Sequence, residues 1–498
     1  PLEYSWKEDA GKMSALDDKR KSTLEVRPVD MGEVERDLLK APSDLVSVPA
    51  LPEGLEGVEI CDDYRTIRSL LEEGEGPLLF VSGNAGTGKS TLIRYLRSVL
   101  GKNLAVVAPT GVAALNVSGA TVHSFFRFPP RVLDGEEIKR VPDRRLYRKL
   151  ELLIIDEISM VRCDLLDSID IFLRKNRENE LPFGGVRLLM VGDLFQLPPV
   201  VPERDRSLLL SKGYKSPYFF SSLAMRRCSL IPLELTRVYR QEDPSFIALL
   251  NDLRVGERID ESLRTLNERC LARGSLPRQI TLTTTNALAD KINGDELERL
   301  PGQERVLWGE TTGRFSLEAE RLPSPINLTL KIGARVMFTK NDEGRRWVNG
   351  TLGVVRGIDE PIVLVEPVSG PKGGTVEVRR TSWMSYRYVY DPEKDKIVTE
   401  ETGSYTQFPL MLAWAVTIHK SQGKTLDNAL IDLGSGAFAS GQVYVALSRC
   451  RSLEGITLAR PLRRGDIRCD PLIKRFFSTL EEMKRLPPRS GESLPPGF

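Results

Sequence analysis

Gly83-Asn84-Ala85-Gly86-Thr87-Gly88-Lys89-Ser90 is the stretch that decides how this chain folds. The apolar run 77–81 leads into it, and a helix-like stretch, 91–100, follows. A strand, a glycine-rich turn and a helix N-terminus in that order make a phosphate-binding loop. The glycines let consecutive backbone N–H groups converge on phosphate oxygens, and the positive end of the helix adds to the attraction. Lys89 is expected to reach the β- and γ-phosphates, and the Ser90 hydroxyl to complete a Mg²⁺ shell. Gly83, Ala85, Gly86, Thr87, Gly88, Lys89, Ser90 and Thr91 form the expected cradle. The chain is read as binding a nucleoside triphosphate.

Working outward from the loop, short apolar runs alternate with helical stretches from about residue 60. Strands are expected at 78–82, 104–108, 152–155 and 187–192. Strands alternating with helices argue a parallel α/β sheet that takes ligands at its carboxyl edge. A second such sheet is expected from 280–284, 415–418, 429–432 and 455–458. Between its pieces, residues 351–409 read as successive short strands at 351–358, 362–366, 374–380, 387–390 and 397–402. Their regular spacing predicts a small β-barrel inserted into the second α/β domain. Residues 1–59 are charged and proline-punctuated and read as a mobile or accessory lead-in. Residues 485–498 are proline- and glycine-rich and read as a disordered end.

The 498 residues are enough for three or four domains, and a 41% hydrophobic content is ordinary for a chain that buries large cores. No apolar stretch approaches the roughly 20 residues that cross a bilayer, and residues 1–18 lack a signal-peptide core. The six cysteines are far apart, with no CxxC pair, which argues against a zinc or iron–sulfur site and fits a reducing cytoplasm. A net charge of +2 leaves a nucleic-acid partner to a local groove and not to a globally basic surface.

Leu152-Leu153-Ile154-Ile155-Asp156-Glu157 is a buried-strand pattern ending in two carboxylates. Beside a phosphate loop, Asp156 is expected to hold Mg²⁺ and Glu157 to orient or deprotonate the attacking water. Gly192-Asp193-Leu194-Phe195-Gln196 ends another apolar run, and Gln196 there is placed to hydrogen-bond the γ-phosphate and sense its loss. The runs 235–241 and 444–450 each carry an arginine, Arg240 and Arg449, where a second α/β domain could face the nucleotide. A guanidinium brought to the transferring phosphoryl group is worth roughly 10³–10⁵ in rate. The clusters 144–149 and 460–464 are basic enough for phosphates, but such runs are more often solvated faces.

Taken in order, these motifs resemble superfamily 1 helicases, and within them the RecD-like and Pif (petite-integration-frequency) DNA helicases. The likeness runs through Ala108-Pro109-Thr110-Gly111-Val112-Ala113-Ala114, Thr121-Val122-His123-Ser124-Phe125-Phe126 and Asp156-Glu157-Ile158-Ser159-Met160-Val161. It continues through Pro182-Phe183-Gly184-Gly185, Asn349-Gly350-Thr351-Leu352-Gly353 and Ala415-Val416-Thr417-Ile418-His419-Lys420-Ser421-Gln422-Gly423 to Tyr444–Cys450, and covers roughly 60–460.

That resemblance implies two RecA-like domains sharing one ATP site, with Mg²⁺, and single-stranded DNA lying across both. It implies a small insertion in the first domain, at about 127–148, and an SH3-like barrel in the second. The implied division is a lead-in at 1–59, domain 1A at 60–235, domain 2A at 236–350 and 410–475, domain 2B at 351–409, and a tail at 476–498. The insertion is the candidate wedge at the fork, and 5′-to-3′ polarity comes from the resemblance alone. Pro109, Thr110, Gly111, His123, Thr285, Asn286, His419 and Lys420 look like DNA-facing positions, and Gly423 looks like a nucleotide-facing one. Phe125 and Phe126 read as core more than as base-stacking residues, while Trp347 and Trp414 have no assigned place.

One departure stands out: no glutamine precedes Gln196, whereas many helicases of this type carry one upstream of the loop that reads adenine. Base recognition is instead expected from backbone groups near 59–63. The function implied is an ATP-dependent DNA helicase acting on single-stranded, forked or structured DNA, with monomeric action and a cytoplasmic setting as the expectation, nucleoid-associated in a bacterium or nuclear or mitochondrial in a eukaryote. A RecD-like translocase subunit, a non-motor nucleic-acid-binding ATPase and an RNA helicase stay open as alternatives.

Overall fold

The computed structural model describes residues 60–73, 78–271, 279–315, 322–368 and 374–485. The lead-in at 1–59 and residues 486–498 lie outside these.

Runs of Leu, Ile, Val and Phe that are apolar on both faces build a sheet covered on both sides. The first sheet comprises β1 (Leu78–Gly83), β2 (Leu104–Ala108), β3 (Ala120–Thr121), β4 (Leu152–Ile155), β5 (Arg187–Gly192) and β6 (Leu230–Leu235). All its pairs are parallel, in the order β3-β2-β4-β5-β1-β6. Every residue of β1 and β4 is buried. Because β4, β5 and β1 are neighbours in a parallel array, their carboxyl ends bring Asp156-Glu157, Asp193–Gln196 and the phosphate loop to one edge. That edge is where α/β sheets bind ligands.

The chain then lays down β7 (Ile280–Thr283), β8 (Arg305–Trp308), β9 (Glu310–Gly313), β10 (Asn327–Leu330), β11 (Arg335–Phe338), β12 (Leu352–Asp359), β13 (Ile362–Pro367) and β14 (Val376–Val378). It continues with β15 (Thr381–Asp391), β16 (Lys396–Gln407), β17 (Leu410–Leu412), β18 (Ala415–Thr417), β19 (Ala429–Asp432) and β20 (Ile456–Leu458). The second parallel sheet has the order β18-β7-β19-β20, from the four segments expected to form it.

The strand-rich stretch differs from its expected form. β12, β13 and β14 join an antiparallel sheet of order β14-β13-β12-β11-β17, which takes in strands from both sides of 351–409. β15 and β16 instead pair with each other, from Thr381↔Gln407 to Asp391↔Lys396, as a long hairpin that also pairs with β9. Its far end lands on the first sheet's domain. The Val106 N–H donates to the Tyr388 hydroxyl at 2.9 Å, the Ile397 N–H to Asn103 Oδ1 at 2.8 Å, and Lys149 pairs with Asp395 at 2.6 Å. A hairpin this long needs packing beyond its own sheet, and the short-strand reading could not see where that packing lay.

A second correction concerns the tail. Residues 476–485 are the end of a helix, Pro471–Arg485, that returns to the first core. Ile473, Phe476 and Leu480 are buried there, with Phe476 stacked 4.4 Å from Phe220 and Phe477 5.2 Å from Phe195. Phe125, Phe126, Trp347 and Trp414 are buried too, with Trp347 stacked 4.4 Å from Phe338. No helix among the described residues is long and apolar enough to cross a membrane.

Candidate nucleotide and nucleic-acid site

The phosphate loop bends between β1 and the helix Lys89–Val99 through two left-handed glycines, Gly86 (φ 86°) and Gly88 (φ 87°). A side chain on Gly86 would start 2.6 Å from the Arg240 Cβ, so both conformation and crowding demand glycine there. Lys89 Nζ donates to the carbonyls of Gly83 and Asn84, each at 2.8 Å, folding over the loop it serves. Burial pushes its ammonium pKa down, and the charges of Asp193 and Glu157 oppose that. Ser90 is exposed in the first helical turn, and Thr91 is half-buried behind it.

At the end of β4, Asp156 is buried and accepts the Glu157 N–H at 2.9 Å. Glu157 itself sits at φ 49°, a left-handed conformation uncommon for a non-glycine residue. Such strain persists only where surrounding structure imposes it, and it clusters at working sites. Burial pushes both carboxyls above the ordinary range; the charge of Glu157 adds to this at Asp156, while Lys89 and Arg449 restrain Glu157. A buried Asp156 and a half-buried Glu157 at the end of β4, with the exposed Ser90 hydroxyl in the helix's first turn, are oxygen donors of the kind a hard divalent cation takes. Among the described residues no group of three or more His, Cys, Asp or Glu could hold a metal, so phosphate oxygens and water would complete such a shell.

The second domain closes over this edge. Gln196 donates from Nε2 to Asp193 Oδ2 at 3.1 Å. Gln422, from the loop after β18, donates to both Glu157 Oε2 and Gln196 Oε1 at 3.3 Å. Tyr444 lies between the lobes: its hydroxyl accepts the Ala85 N–H at 3.0 Å and donates to Asp193 Oδ2 at 3.2 Å. At Gly441 (φ 72°) any Cβ would collide with the carbonyl oxygens of Phe195 and Gln196.

Both candidate arginines lie at this junction, Arg449 buried and Arg240 half-buried. Arg240 donates to Thr425 Oγ1 (3.1 Å) and the Ser448 carbonyl (3.2 Å), and Arg449 to the Val445 carbonyl (2.9 Å) and Ser448 Oγ (3.0 Å). Among the described residues neither forms an ion pair, and burial pulls both pKa values down, with Arg449 adding to the effect on Arg240. Buried guanidiniums are normally matched by carboxylates. Of the carboxylates, Glu157 across the cleft acts most strongly on Arg449, after the Tyr444 hydroxyl.

Thr110 caps the helix Gly111–Asn116, accepting the Ala113 N–H, and Thr285 caps Asn286–Arg299, accepting the Leu288 N–H, each at 3.3 Å. Pro109 is half-buried, Gly111 is buried and Asn286 is exposed. His123 Nδ1 lies 3.3 Å from the Phe128 carbonyl. His419 is half-buried, with its pKa lowered by burial, and Lys420 is exposed beside it. Gly423 (φ 80°) brings its loop to within 3.9 Å of Asn116 in the first domain, measured from a would-be Cβ. The basic runs are spent on carboxylates: Arg144 and Arg148 pair with Glu178, Arg460 with Asp466 and Arg464 with Asp260.

Sequence reading missed several residues at this site. Tyr64 donates to the Gly88 carbonyl at 2.7 Å, close to where an upstream adenine reader was sought. Asp193 gathers Tyr444, Gln196, the Phe195 N–H and Arg254, whose guanidinium stacks 4.5 Å over the Phe195 ring. Tyr444 and Gln422 lay inside quoted motifs, so their polarity within apolar runs was the available signal.

A glycine-rich phosphate loop on one parallel-sheet lobe, covered by unpaired arginines from a second, defines a two-lobed P-loop nucleotide-binding protein. The profile of the PIF1-like helicases matches residues 61–263. The chain is 34% identical to the human ATP-dependent DNA helicase PIF1, over 93% of this chain and 70% of that protein. It superposes on Bacteroides sp. Pif1 in complex with ADP-AlF4 with a TM-score of 0.78 at 37% identity, covering 87% of this chain and 99% of that one. Against Bacteroides Pif1 bound to single-stranded DNA the TM-score is 0.62 at 38% identity, covering 87% and 99%. The chain belongs to the PIF1-like helicases, and its two parallel sheets are RecA-like domains.

Proposed function

We propose that this ATP-dependent DNA helicase, an ATP-hydrolysing enzyme, moves 5′-to-3′ on single-stranded DNA and opens forked or structured duplexes. The observation that carries the reading is the pair Arg449, buried, and Arg240, half-buried, neither ion-paired with a carboxylate among the described residues, set against the phosphate loop from the other lobe. A triphosphate supplies the negative charge they lack.

In this reading Lys89 leaves the Gly83 and Asn84 carbonyls for the β- and γ-phosphates, and the loop N–H groups hold the remaining oxygens. Ser90 and Asp156 would hold Mg²⁺, which screens phosphate charge when bound. Glu157 takes a proton from the water that attacks the γ-phosphorus, and Gln196 orients that water or the phosphate. Arg240 and Arg449 stabilise the charge developing on the transferred group. When the γ-phosphate leaves, the arginines lose their partner and the lobes part. Alternating grip by the Thr110 and His419 regions then turns each cycle into a step along the strand.

Melting a duplex costs about 1.4 kcal/mol of stacking per step, so the separating element must be rigid. The insertion at 127–148 suits this role. Lys175 Nζ binds its Gly135 and Ile138 carbonyls, and its Val141 N–H donates to Asn176 Oδ1 at 2.8 Å. We keep the division into 1A at 60–235, 2A at 236–350 and 410–475, and an SH3-like 2B at 351–409. We place the chain on the RecD-like branch, acting as a monomer at the nucleoid or in the nucleus.

The test is ATPase rate with and without single-stranded DNA, followed by unwinding of 5′-tailed against 3′-tailed forks by the isolated chain. Hydrolysis stimulated by DNA, with unwinding of the 5′-tailed fork only, is expected. Stimulation without unwinding favours a translocase subunit, and no stimulation defeats the motor.

A further inference from the structure

The helix Pro244–Val255 belongs to the second lobe, in whose core Phe246, Leu249, Leu250 and Leu253 are buried. Two of its polar side chains reach the other way. Asn251 and Arg254 stand three positions apart, which puts them on one face of the helix. Asn251 Oδ1 accepts from Asn84 Nδ2 of the phosphate loop at 2.7 Å. Arg254 Nε donates to Asp193 Oδ1 at 3.2 Å, and its guanidinium lies 4.5 Å from the centre of the Phe195 ring.

The Arg254 side chain is 8% exposed and that of Asp193 0%, so the pair is withdrawn from water. A buried carboxylate needs a matching cation and donors for its remaining lone pairs. Asp193 has both, divided between its oxygens. Oδ1 takes Arg254 and the Phe195 N–H, while Oδ2 takes Gln196 Nε2 at 3.1 Å and the Tyr444 hydroxyl. Phe195, between Asp193 and Gln196, also stacks 5.2 Å from Phe477, so this short segment is held from two further elements.

The consequence falls on Gln196. An acceptor at Asp193 Oδ2 takes the amide nitrogen and leaves the amide oxygen to point elsewhere. That Oε1 and Glu157 Oε2 each lie 3.3 Å from a single nitrogen, Gln422 Nε2, so the two acceptors converge on one point. A water there would give one hydrogen to each and keep a lone pair for phosphorus.

We propose that Arg254 is a positioning residue for hydrolysis: through Asp193 it fixes the Gln196 amide with its oxygen toward Glu157, so that Gln196 orients the attacking water and not the γ-phosphate. The inference rests on the helicase reading above, in which Glu157 takes that water's proton. Arg254 acts through Asp193 and not on the nucleotide.

The experiment measures ATP hydrolysis by the full chain with saturating oligothymidylate for wild type, Arg254→Met, Arg254→Lys, Gln196→Ala and the double variant Arg254→Met with Gln196→Ala. Affinities for fluorescent ADP and a non-hydrolysable ATP analogue are measured alongside. Arg254→Met is expected to lower kcat roughly 10²-fold, the loss that a misplacement of about 1 Å brings, with both affinities kept within about threefold. Gln196→Ala should lose a similar factor. The double variant should fall no more than about threefold below Gln196→Ala, because residues that act as one unit do not add. Arg254→Lys keeps a cation beside Asp193 and should recover most of kcat.

Losses that multiply in the double variant overturn the proposal, since they assign Arg254 to the fold at large. An unchanged kcat in Arg254→Met or in Gln196→Ala overturns it as well. So does a Gln196→Ala that loses affinity for the ATP analogue alone, which would put the amide on the γ-phosphate. If wild type hydrolyses no ATP, the helicase reading falls and takes this role with it; normal wild-type hydrolysis with multiplying losses removes the role alone. Should Arg254→Met not fold, Arg254→Gln, which keeps an N–H for Asp193 without the charge, enters the same double-variant comparison under the same criterion.

Discussion

The two parallel-sheet lobes share a plan but not a chemistry. In each, a strand ends in a threonine that caps the next helix: Thr110 after β2, Thr285 after β7. Only the first lobe carries a phosphate loop and a carboxylate pair at its sheet edge; the second brings Arg240, Arg449, Tyr444 and Gln422 to that same edge. Binding chemistry sits on one lobe and the groups that register it on the other. On the proposed reading hydrolysis requires both lobes, whereas holding a nucleotide requires mainly the first.

Removing the second lobe's charge should break that division most clearly. Arg449→Ala is expected to lower kcat by roughly 10³-fold or more while nucleotide affinity changes by only a few fold. Steady-state hydrolysis beside a fluorescent-nucleotide titration separates the two quantities. Equal losses in both would make Arg449 a structural residue and the asymmetry of the lobes an illusion.

Glu157→Gln tests the first lobe by itself. It keeps the side-chain size and an acceptor oxygen but cannot take a proton, so turnover should fall about 10²–10⁴-fold with nucleotide binding retained. Near-normal ATPase would show that the strained conformation at φ 49° serves packing and not the attacking water.

A smaller effect is expected at the contact that joins the lobes. Tyr444→Phe keeps the buried ring and removes the hydroxyl bonded to Ala85 and Asp193. The Ala85 N–H and one Asp193 oxygen lose a partner, which is worth roughly tenfold in rate if closure depends on them. The fall should appear in kcat and in stimulation by DNA. A fall confined to thermal stability would sharpen the comparison differently, by assigning the hydroxyl to folding alone.

Why some of this was legible beforehand follows from how each signal is written. The phosphate loop, Asp156-Glu157 and Gln196 are local: strand, turn and residue type lie within ten positions of one another. Buried strands of Leu, Ile and Val marked both parallel sheets for the same reason. The β15–β16 hairpin escaped because its packing is on Val106, Asn103 and Lys149, 246 to 294 residues away in sequence. The helix Pro471–Arg485 was hidden by neighbouring proline-rich sequence, although Phe476 and Phe477 gave it an apolar face for the first core. Tyr444 was invisible as a role, since a tyrosine in an apolar helix is ordinary until its partners are known.

The finest test uses the feature the lobes share. A threonine that caps a helix accepts one backbone N–H through its oxygen and still has its own O–H to donate. Thr110 and Thr285 both spend the acceptor at 3.3 Å, which leaves both donors for a strand phosphate. Thr110→Ala and Thr285→Ala should each cost about 1 kcal/mol of stability through the lost cap. Each should also weaken oligothymidylate binding roughly threefold, the share of one neutral hydrogen bond, without altering nucleotide affinity. Thr110→Ser and Thr285→Ser keep cap and donor, so they should recover both properties. If only Thr110→Ala weakens DNA binding, the likeness of the caps is inherited architecture, and the proposed grip of the second lobe falls to His419 and Lys420.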